Sequence, residues 1–318
     1  MTADAIARTA LVLGRRRRGR KIGPVIQQTR RRLEAAGWHV TAKLVDRKRE
    51  LRRHARRAVR DKVDVVVAVG GDGAVLQVVQ VLAESRVALA IIPMGTGNLL
   101  ASNLGIPTAP EDAASVVVDG TPRRIDVGRA TIGGKRRMFA VACGVGFDAE
   151  VMQATPKVRK ARWGKLAYVA AAVQERDQVR NVAHEIELDG ETTTTEATQV
   201  FVANFGRTGL GLEPRLKVEP DDGILDVIVV RADGAIAGLL AGWEAIRQRR
   251  RGESSQGHVF RAHARKIRIS ATPDRLVETD GSVVGTTPIT ISVRPQALSV
   301  IAPGMHEASR GGRRRAAS

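Results

Sequence analysis

Hydrophobic positions in the first third of the chain fall into short β-branched runs that alternate with stretches spaced for a helix. Ala10 to Leu13 reads as a strand, Val25 to Ala36 as a helix stopped by Gly37, Trp38 to Leu44 as a second strand, and Arg47 to Arg60 as a very basic helix. Val65 to Val69 is apolar at every position, the pattern of a strand buried on both faces of a parallel sheet. Val75, Leu76, Val78, Val79 and Leu82 then recur at helical spacing over Ala74 to Ala83, and Ile91-Ile92 marks another strand. Leu99 to Leu104 predicts a short helix stopped by Gly105 and Pro107, and Ala109 to Asp119 a further one. Strand and helix alternating in this way predict a doubly wound α/β domain.

Beyond Gly120-Thr121-Pro122 the texture changes. Arg123 to Ala130, Arg137 to Val145, Val182 to Leu188, Thr198 to Asn204, Leu225 to Val230, His258 to Ala262, Lys266 to Ser270 and Ile289 to Val293 are short β-rich runs divided by turn residues. They predict a second, mostly antiparallel domain. Helical spacing returns at Lys165 to Gln178 and at Ala235 to Arg251, and residues 307–318 read as a small, basic, disordered tail.

At 318 residues the chain has room for two domains, each with a core. No apolar run approaches the roughly twenty residues needed to cross a bilayer, and the first residues lack the pattern of a secretory signal. The single cysteine, Cys143, leaves no internal disulfide and fits a reducing cytoplasm. Charge sharpens the picture: the net value is +19, and residues 1 to 60 hold nineteen Lys or Arg against four Asp or Glu. Such a segment attracts polyanions, whether phosphate-rich ligands, anionic membrane or nucleic acid. An aromatic content of 3% speaks against modules that stack bases on aromatic platforms, so no nucleic-acid partner is expected.

The candidate chemistry sits where two predicted strands end in glycines. Gly70-Gly71-Asp72-Gly73 follows the first and leads into a helix; Pro93-Met94-Gly95-Thr96-Gly97-Asn98 follows the second. Glycines there let bare N–H groups approach a ligand, and the helix N-terminus favours a phosphate. The earlier stretch Gly14 to Lys21 imitates a P-loop, but Arg20 intervenes before the lysine and Ile22 stands where a Ser or Thr should meet magnesium. It is not one.

The two glycine motifs, in this order and spacing, resemble the paired signature of the diacylglycerol kinase catalytic domain, shared with sphingosine kinases and soluble bacterial lipid kinases. The resemblance continues through Cys143 to Asp148, Val202 to Asn204, Asp221 to Val227, Asp280-Gly281 and Ala297 to Pro303, and so covers nearly the whole chain. It implies a nucleotide-binding α/β domain over 1–124, a β-sandwich lipid-substrate domain over 125–296, and a last segment, 297–306, that returns to the first. It also implies transfer of the γ-phosphate of ATP to a lipid hydroxyl with Mg2+. Carried onto this sequence, Gly70, Gly71, Gly73, Gly95, Thr96, Gly97 and Asn98 cradle the nucleotide phosphates, and Asp72 faces the metal and the transferring group. Glu219, Asp222 and the Ile224 carbonyl match the cation-binding segment, whose hard oxygen donors suit magnesium.

Four departures from the family pattern bear on activity. Gly14 and the arginine run replace Asn-Pro-x-Ser-Gly, Ala74 replaces a threonine, Gln77 replaces a glutamate, and Ser282 stands where bacterial members have the glutamate assigned as general base. Serine does not take that proton at neutral pH, which leaves Asp72 or Asp280 as base, or a silent site. The expectation is therefore a cytoplasmic lipid kinase acting at an anionic membrane surface, with Lys157 to Tyr168 and the stretch around Trp243 available to hold the lipid, and with homodimer formation open. The alternatives are a catalytically silent nucleotide- or lipid-binding protein and an NAD kinase-like enzyme, whose superfamily shares the Gly-Gly-Asp-Gly loop.

Overall fold

A computed structural model describes residues 8–146, 181–206, 218–231 and 259–304. It divides into two compact units: the chain leaves the first after Ile125 and takes it up again at Gln296, and Asp126–Pro295 forms the second.

The first unit is built from β1 (Thr9–Arg15), α1 (Ile22–Ala35), β2 (His39–Val45), α2 (Lys48–Arg60), β3 (Val65–Gly70), α3 (Asp72–Leu82), β4 (Ala88–Pro93), α4 (Leu99–Asn103) and α5 (Pro110–Asp119). Its strands are parallel in the order β2-β1-β3-β4, and every residue of β3 and β4 is buried. That is why both read as unbroken apolar runs. The crossover through α1 steps one way along this order and the crossover through α2 steps the other. Right-handed connections therefore put α1 and α2 on opposite faces of the sheet. α1 packs toward α5, and α2 lies beside α3. The parallel arrangement gathers the loops after β1, β2, β3 and β4 at one end of the sheet, the end where such folds place their ligands.

The second unit contains the later part of β5 (Thr121–Ile132), then β6 (Lys135–Phe139), β7 (Ala142–Gly146), β8 (Val182–Leu188), β9 (Glu191–Ala197), β10 (Gln199–Ala203), β11 (Leu225–Val230), β12 (Val259–Ala264), β13 (Lys266–Thr272), β14 (Leu276–Thr279), β15 (Ser282–Thr286) and the first part of β16 (Ile289–Ala302). Six of them form an antiparallel sheet, β12-β11-β10-β7-β14-β15; β16-β13-β8-β9 forms a second. One core draws on both sheets, with Cys143, Val145, Val200, Val202, Leu225 and Val227 from the first and Ile186, Ile267, Ile269, Ile289 and Ile291 from the second. This is the antiparallel β domain expected from the sequence. Residues 297–302, the last part of β16, belong to the first unit, where Val300 pairs in parallel with Leu89 of β4.

Three expectations need correction. Arg137 to Val145 is not one strand but two, β6 and β7, because the N–H groups of Ala140, Val141 and Ala142 turn aside to the carboxylate of Asp280. Ile289 to Val293 and the segment from Ala297 form a single strand, β16, with a local break at Gln296, where φ is +46°. The helix after the first glycines starts at Asp72 rather than Ala74, so Asp72 and Gly73 belong to its first turn. The two later helices expected at Lys165 to Gln178 and Ala235 to Arg251, and the lipid-holding stretches within them, lie outside the described residues, as does the tail.

Candidate active site

The loops after β3 and β4 meet at their glycines. Met94 N–H donates to the Gly70 carbonyl (2.8 Å), continuing the parallel pairing past the strand ends. A Cβ on Gly71 would stand 2.8 Å from the Gly95 Cα, and a Cβ on Gly95 would stand 2.6 Å from both the Gly71 Cα and Asn98 Oδ1. No larger residue fits this seam. Asn98, in the left-handed region at φ +50°, closes its own loop: its Oδ1 accepts the Gly95 N–H (2.8 Å) and its Nδ2 donates to the Gly95 carbonyl (3.2 Å).

Asp72 ties the two loops together. Its Oδ2 accepts the Asn98 N–H (2.9 Å) and its Oδ1 the Leu99 N–H (2.5 Å), so the carboxylate caps α4 from a neighbouring helix. Gly97 is held to glycine by the same group, since a Cβ there would lie 2.9 Å from Asp72 Oδ2. Thr96 and Gly97 remain exposed on the rim, and Lys48 at the start of α2 brings its Nζ close to Gly73, 3.8 Å from where a Cβ would be. The result is a narrow, backbone-lined seam at the carboxyl ends of two parallel strands, beside the N-terminus of α3. A backbone-lined seam in that position fits the phosphates of a nucleotide. Gly70, Gly71, Asp72, Gly73, Gly95, Thr96, Gly97 and Asn98 are thus brought together in the first unit.

Gly14, by contrast, belongs to β1 and is packed in: a Cβ would lie 2.9 Å from Ile22, Ile26 and the Val69 carbonyl. Arg15 is half-buried, Arg16, Arg17, Arg18 and Arg20 are exposed, and Arg16 pairs with Asp46 at 3.2 Å.

In the second unit, Glu219, Asp222 and Ile224 share one tight turn. Gly223 has φ +78°, its N–H donates to Asp126 Oδ2 (2.7 Å), and Ile224 N–H donates to Asp222 Oδ1 (3.1 Å). The Asp126 N–H reaches the Pro220 carbonyl at 2.6 Å. Glu219 and Asp222 are exposed, and among the described residues no three His, Cys, Asp or Glu side chains gather around one point. Two exposed carboxylates and a carbonyl on one turn are a donor set that fits a largely hydrated Mg2+. Nearby in the chain, buried Asp226 takes Arg261 Nε (2.6 Å), Arg261 Nη2 and His263 Nε2 (3.1 Å) on one oxygen, Oδ1.

Asp280 is bound up elsewhere in that unit. Its Oδ2 accepts Ala140 N–H (2.8 Å), and its Oδ1 accepts Val141 N–H (2.9 Å) and Ala142 N–H (3.0 Å). Asp280 and Gly281 form a left-handed turn, φ +43° and +78°, closed by a 2.6 Å bond from the Gly281 N–H to Glu278 Oε2. Ser282, half-buried, follows at the start of β15 and pairs with Thr279.

Three residues with no assigned role emerge from the packing. Asp126 is fully buried and anchors the 219–224 turn. Asn204, also fully buried, donates through Nδ2 to the carbonyls of Asp126 (2.8 Å) and Ala140 (2.9 Å), while its Oδ1 has no partner among the described residues. Glu278 is buried beside Gly144. For Asp126 the signal was present: an acid between the two β-branched residues Ile125 and Val127. Burial and the nearby carboxylates of Glu278 and Asp280 push the Cys143 thiol well above its ordinary range.

A backbone-lined phosphate seam in a parallel α/β unit, followed by an antiparallel sandwich unit, describes a class of two-domain nucleotide-using kinases. Residues 10–130 match the diacylglycerol kinase catalytic domain, and residues 141–302 match the YegS C-terminal NAD kinase beta sandwich-like domain. The chain belongs to the diacylglycerol kinase catalytic-domain family. It is 33% identical over 253 residues to a Mycobacterium tuberculosis diacylglycerol kinase, covering 77% of this chain and 79% of that one. An uncharacterised Synechocystis protein is 32% identical over 241 residues, 75% of this chain but 54% of the relative, so the chain spans about half of that protein's length. A crystal structure of a Bacillus anthracis diacylglycerol kinase superposes with a TM-score of 0.71 at 23% identity, covering 93% and 96% of the two chains. A second structure from that organism gives 0.77 at 26% identity with the same coverage. The family implies ATP-dependent phosphoryl transfer, typically with a divalent metal. Among the described residues no helix is long and apolar enough to cross a membrane.

Proposed function

We propose that the protein transfers the γ-phosphate of ATP to a hydroxyl of diacylglycerol or a related lipid, with Mg2+, at the surface of a cytoplasmic membrane. The observation that carries this reading is the seam of Gly71 against Gly95, locked by Asp72 to Asn98 and Leu99. Phosphoryl transfer depends on positioning and charge neutralisation more than on covalent chemistry, and a rigid seam of backbone amides supplies the first. In this reading Gly70, Gly71, Gly73 and Gly95 to Asn98 hold the phosphates. Glu219, Asp222 and the Ile224 carbonyl hold Mg2+, which when bound neutralises charge. The proton of the acceptor hydroxyl goes to a carboxylate, Asp72 or Asp280, since Ser282 takes none.

A second reading has a specific basis. Both Asp72 and Asp280 hold backbone N–H groups with each of their oxygens, and Ser282 follows the Asp280-Gly281 turn; a silent nucleotide- or lipid-binding protein would look the same. Purified protein incubated with labelled ATP, Mg2+ and a panel of diacylglycerol, phosphatidylglycerol, sphingosine and NAD separates the two. Labelled lipid that disappears with Asp72→Ala supports the kinase. Nucleotide binding without any labelled product supports the silent protein, and labelled NAD alone overturns both.

A further inference from the structure

One side of the first unit carries a row of arginines that the fold leaves largely unneutralised. The inward face of α2 is Leu51, Ala55 and Ala58, all buried, and the helix packs beside α3. Arg49, Arg53, Arg56 and Arg60 recur at intervals of three or four, and all four are exposed. At about 1.5 Å per residue they make one outward line roughly 17 Å long, flanked by Arg52 and Arg57.

Acidic groups do little to offset it. Glu50, the one acid in the helix sequence, turns Oε2 to the N–H groups of Asp46 (3.1 Å) and Arg47 (3.0 Å), so its charge serves the helix N-terminus. Its other oxygen stands 4.0 Å from Arg53. Asp61, just past the helix, meets Arg57 at 3.3 Å and Arg60 at 3.8 Å. Arg49, Arg52 and Arg56 have no acidic partner within 4.0 Å among the described residues. His54, on the same helix, is held below its ordinary range by burial and by the charges of Arg53, Lys43 and Arg57, with Glu50 opposing.

The shape selects among polyanions. α2 buries only Leu51, Ala55 and Ala58 and turns the opposite side, with the arginine row, outward. It also carries no Phe, Tyr or Trp on which a base could stack. A flat anionic surface meets the whole row at once. We infer that the outward arginine row of α2 is a docking face for an anionic phospholipid bilayer. The choice of a bilayer rests on the lipid-kinase reading; the charged row does not.

The test is co-sedimentation of the full chain with vesicles of phosphatidylcholine, with and without phosphatidylglycerol. Replacing Arg49, Arg53 and Arg56 together by Gln is expected to weaken partition into anionic vesicles by roughly 100-fold, from the usual contribution of a basic side chain at such a surface. Replacing Arg30, Arg31 and Arg32 of α1 by Gln removes the same charge from the other face of the sheet and is expected to change partition only a few-fold. The Lys triple at the α2 positions, which keeps charge and helix, is expected to dock like the parent and guards against a folding defect in the Gln triple. Equal losses from the α1 and α2 triples overturn the proposal, as does an α2 triple that sediments like the parent. Loss of binding to an RNA duplex without loss to vesicles overturns it in favour of nucleic acid. Phosphorylation of a short-chain, monomeric diacylglycerol, measured alongside, is expected to be unchanged in the α2 triple. A parent that docks yet never phosphorylates sinks the lipid-kinase reading and leaves the docking face standing.

Discussion

Asp72 reaches across from α3 to cap α4, so removing it costs structure whatever its part in the chemistry. Asp72→Ala should lower the stability of the first unit by about 1–2 kcal/mol, the usual range for a lost cap with charge-assisted bonds. Asp72→Asn keeps one acceptor and should recover part of that loss while leaving phosphoryl transfer impaired. Urea titration of both variants beside the parent decides it; two unchanged midpoints would remove the capping role. Gly128 makes a second case: a Cβ there would lie 2.0 Å from Phe139 Cζ, in the middle of the core. Gly128→Ala should destabilise the second unit by about 1–3 kcal/mol through overpacking, and Phe139→Leu in the same chain should return part of it. If the single variant melts with the parent, the ring has room the packing denies. These residues differ in how far the sequence announces them. Asp72 stands among glycines after an apolar strand, and Asp126 between two β-branched neighbours, whereas nothing around Gly128 tells that a ring from the next strand lies over it.

At the scale of elements, the buried strands declared themselves and the polar ones did not. β3 and β4 are apolar throughout because both faces are covered. β9, Glu191–Ala197, is mostly exposed and written in threonines, and it has no apolar period to detect. Register across the chain was equally hidden, since the break between β6 and β7 is set by Asp280, 140 residues away from Ala140. That carboxylate serves three amides at once, so Asp280→Ala would leave buried N–H groups without acceptors, at a cost of about 1–3 kcal/mol. Hydrogen exchange locates the effect: protection at Ala142 and Cys143 should fall well before protection in β8 and β13, which pair with each other and do not depend on the turn. Uniform loss across the second unit would mean that Asp280 contributes stability without controlling the local break.

For the whole molecule the question is how charge and protonation act on both units together. His184 is fully buried in β8; its Nδ1 carries the proton, because it donates to the Val182 carbonyl (2.9 Å), and its Nε2 has no partner among the described residues. Burial, offset in part by that bond, holds the imidazole below its ordinary range, with Arg275 also lowering it and Glu196 raising it. His54 in the first unit is lowered too, again chiefly by burial. The sign follows from linkage: below about pH 6.5 the unfolded chain takes up protons that the folded imidazoles refuse, so stability is full above that pH and falls as pH drops. The slope cannot exceed about 1.4 kcal/mol per pH unit for each histidine, the limit set by one proton. Urea midpoints from neutral to mildly acidic pH should therefore decline, and His184→Gln should flatten the decline for the second unit without flattening it for the first. The net charge of +19 adds to the same trend, because protonating histidines raises the positive charge of a chain already strained by self-repulsion. Added salt separates the two contributions. It screens the repulsion between exposed arginines but leaves the refusal of a proton by buried His184 in place, so the pH dependence of the second unit should survive at high salt while that of the arginine-rich first unit shrinks. A pH dependence that vanished in both units at high salt would place the cause in net charge alone and not in the buried imidazole.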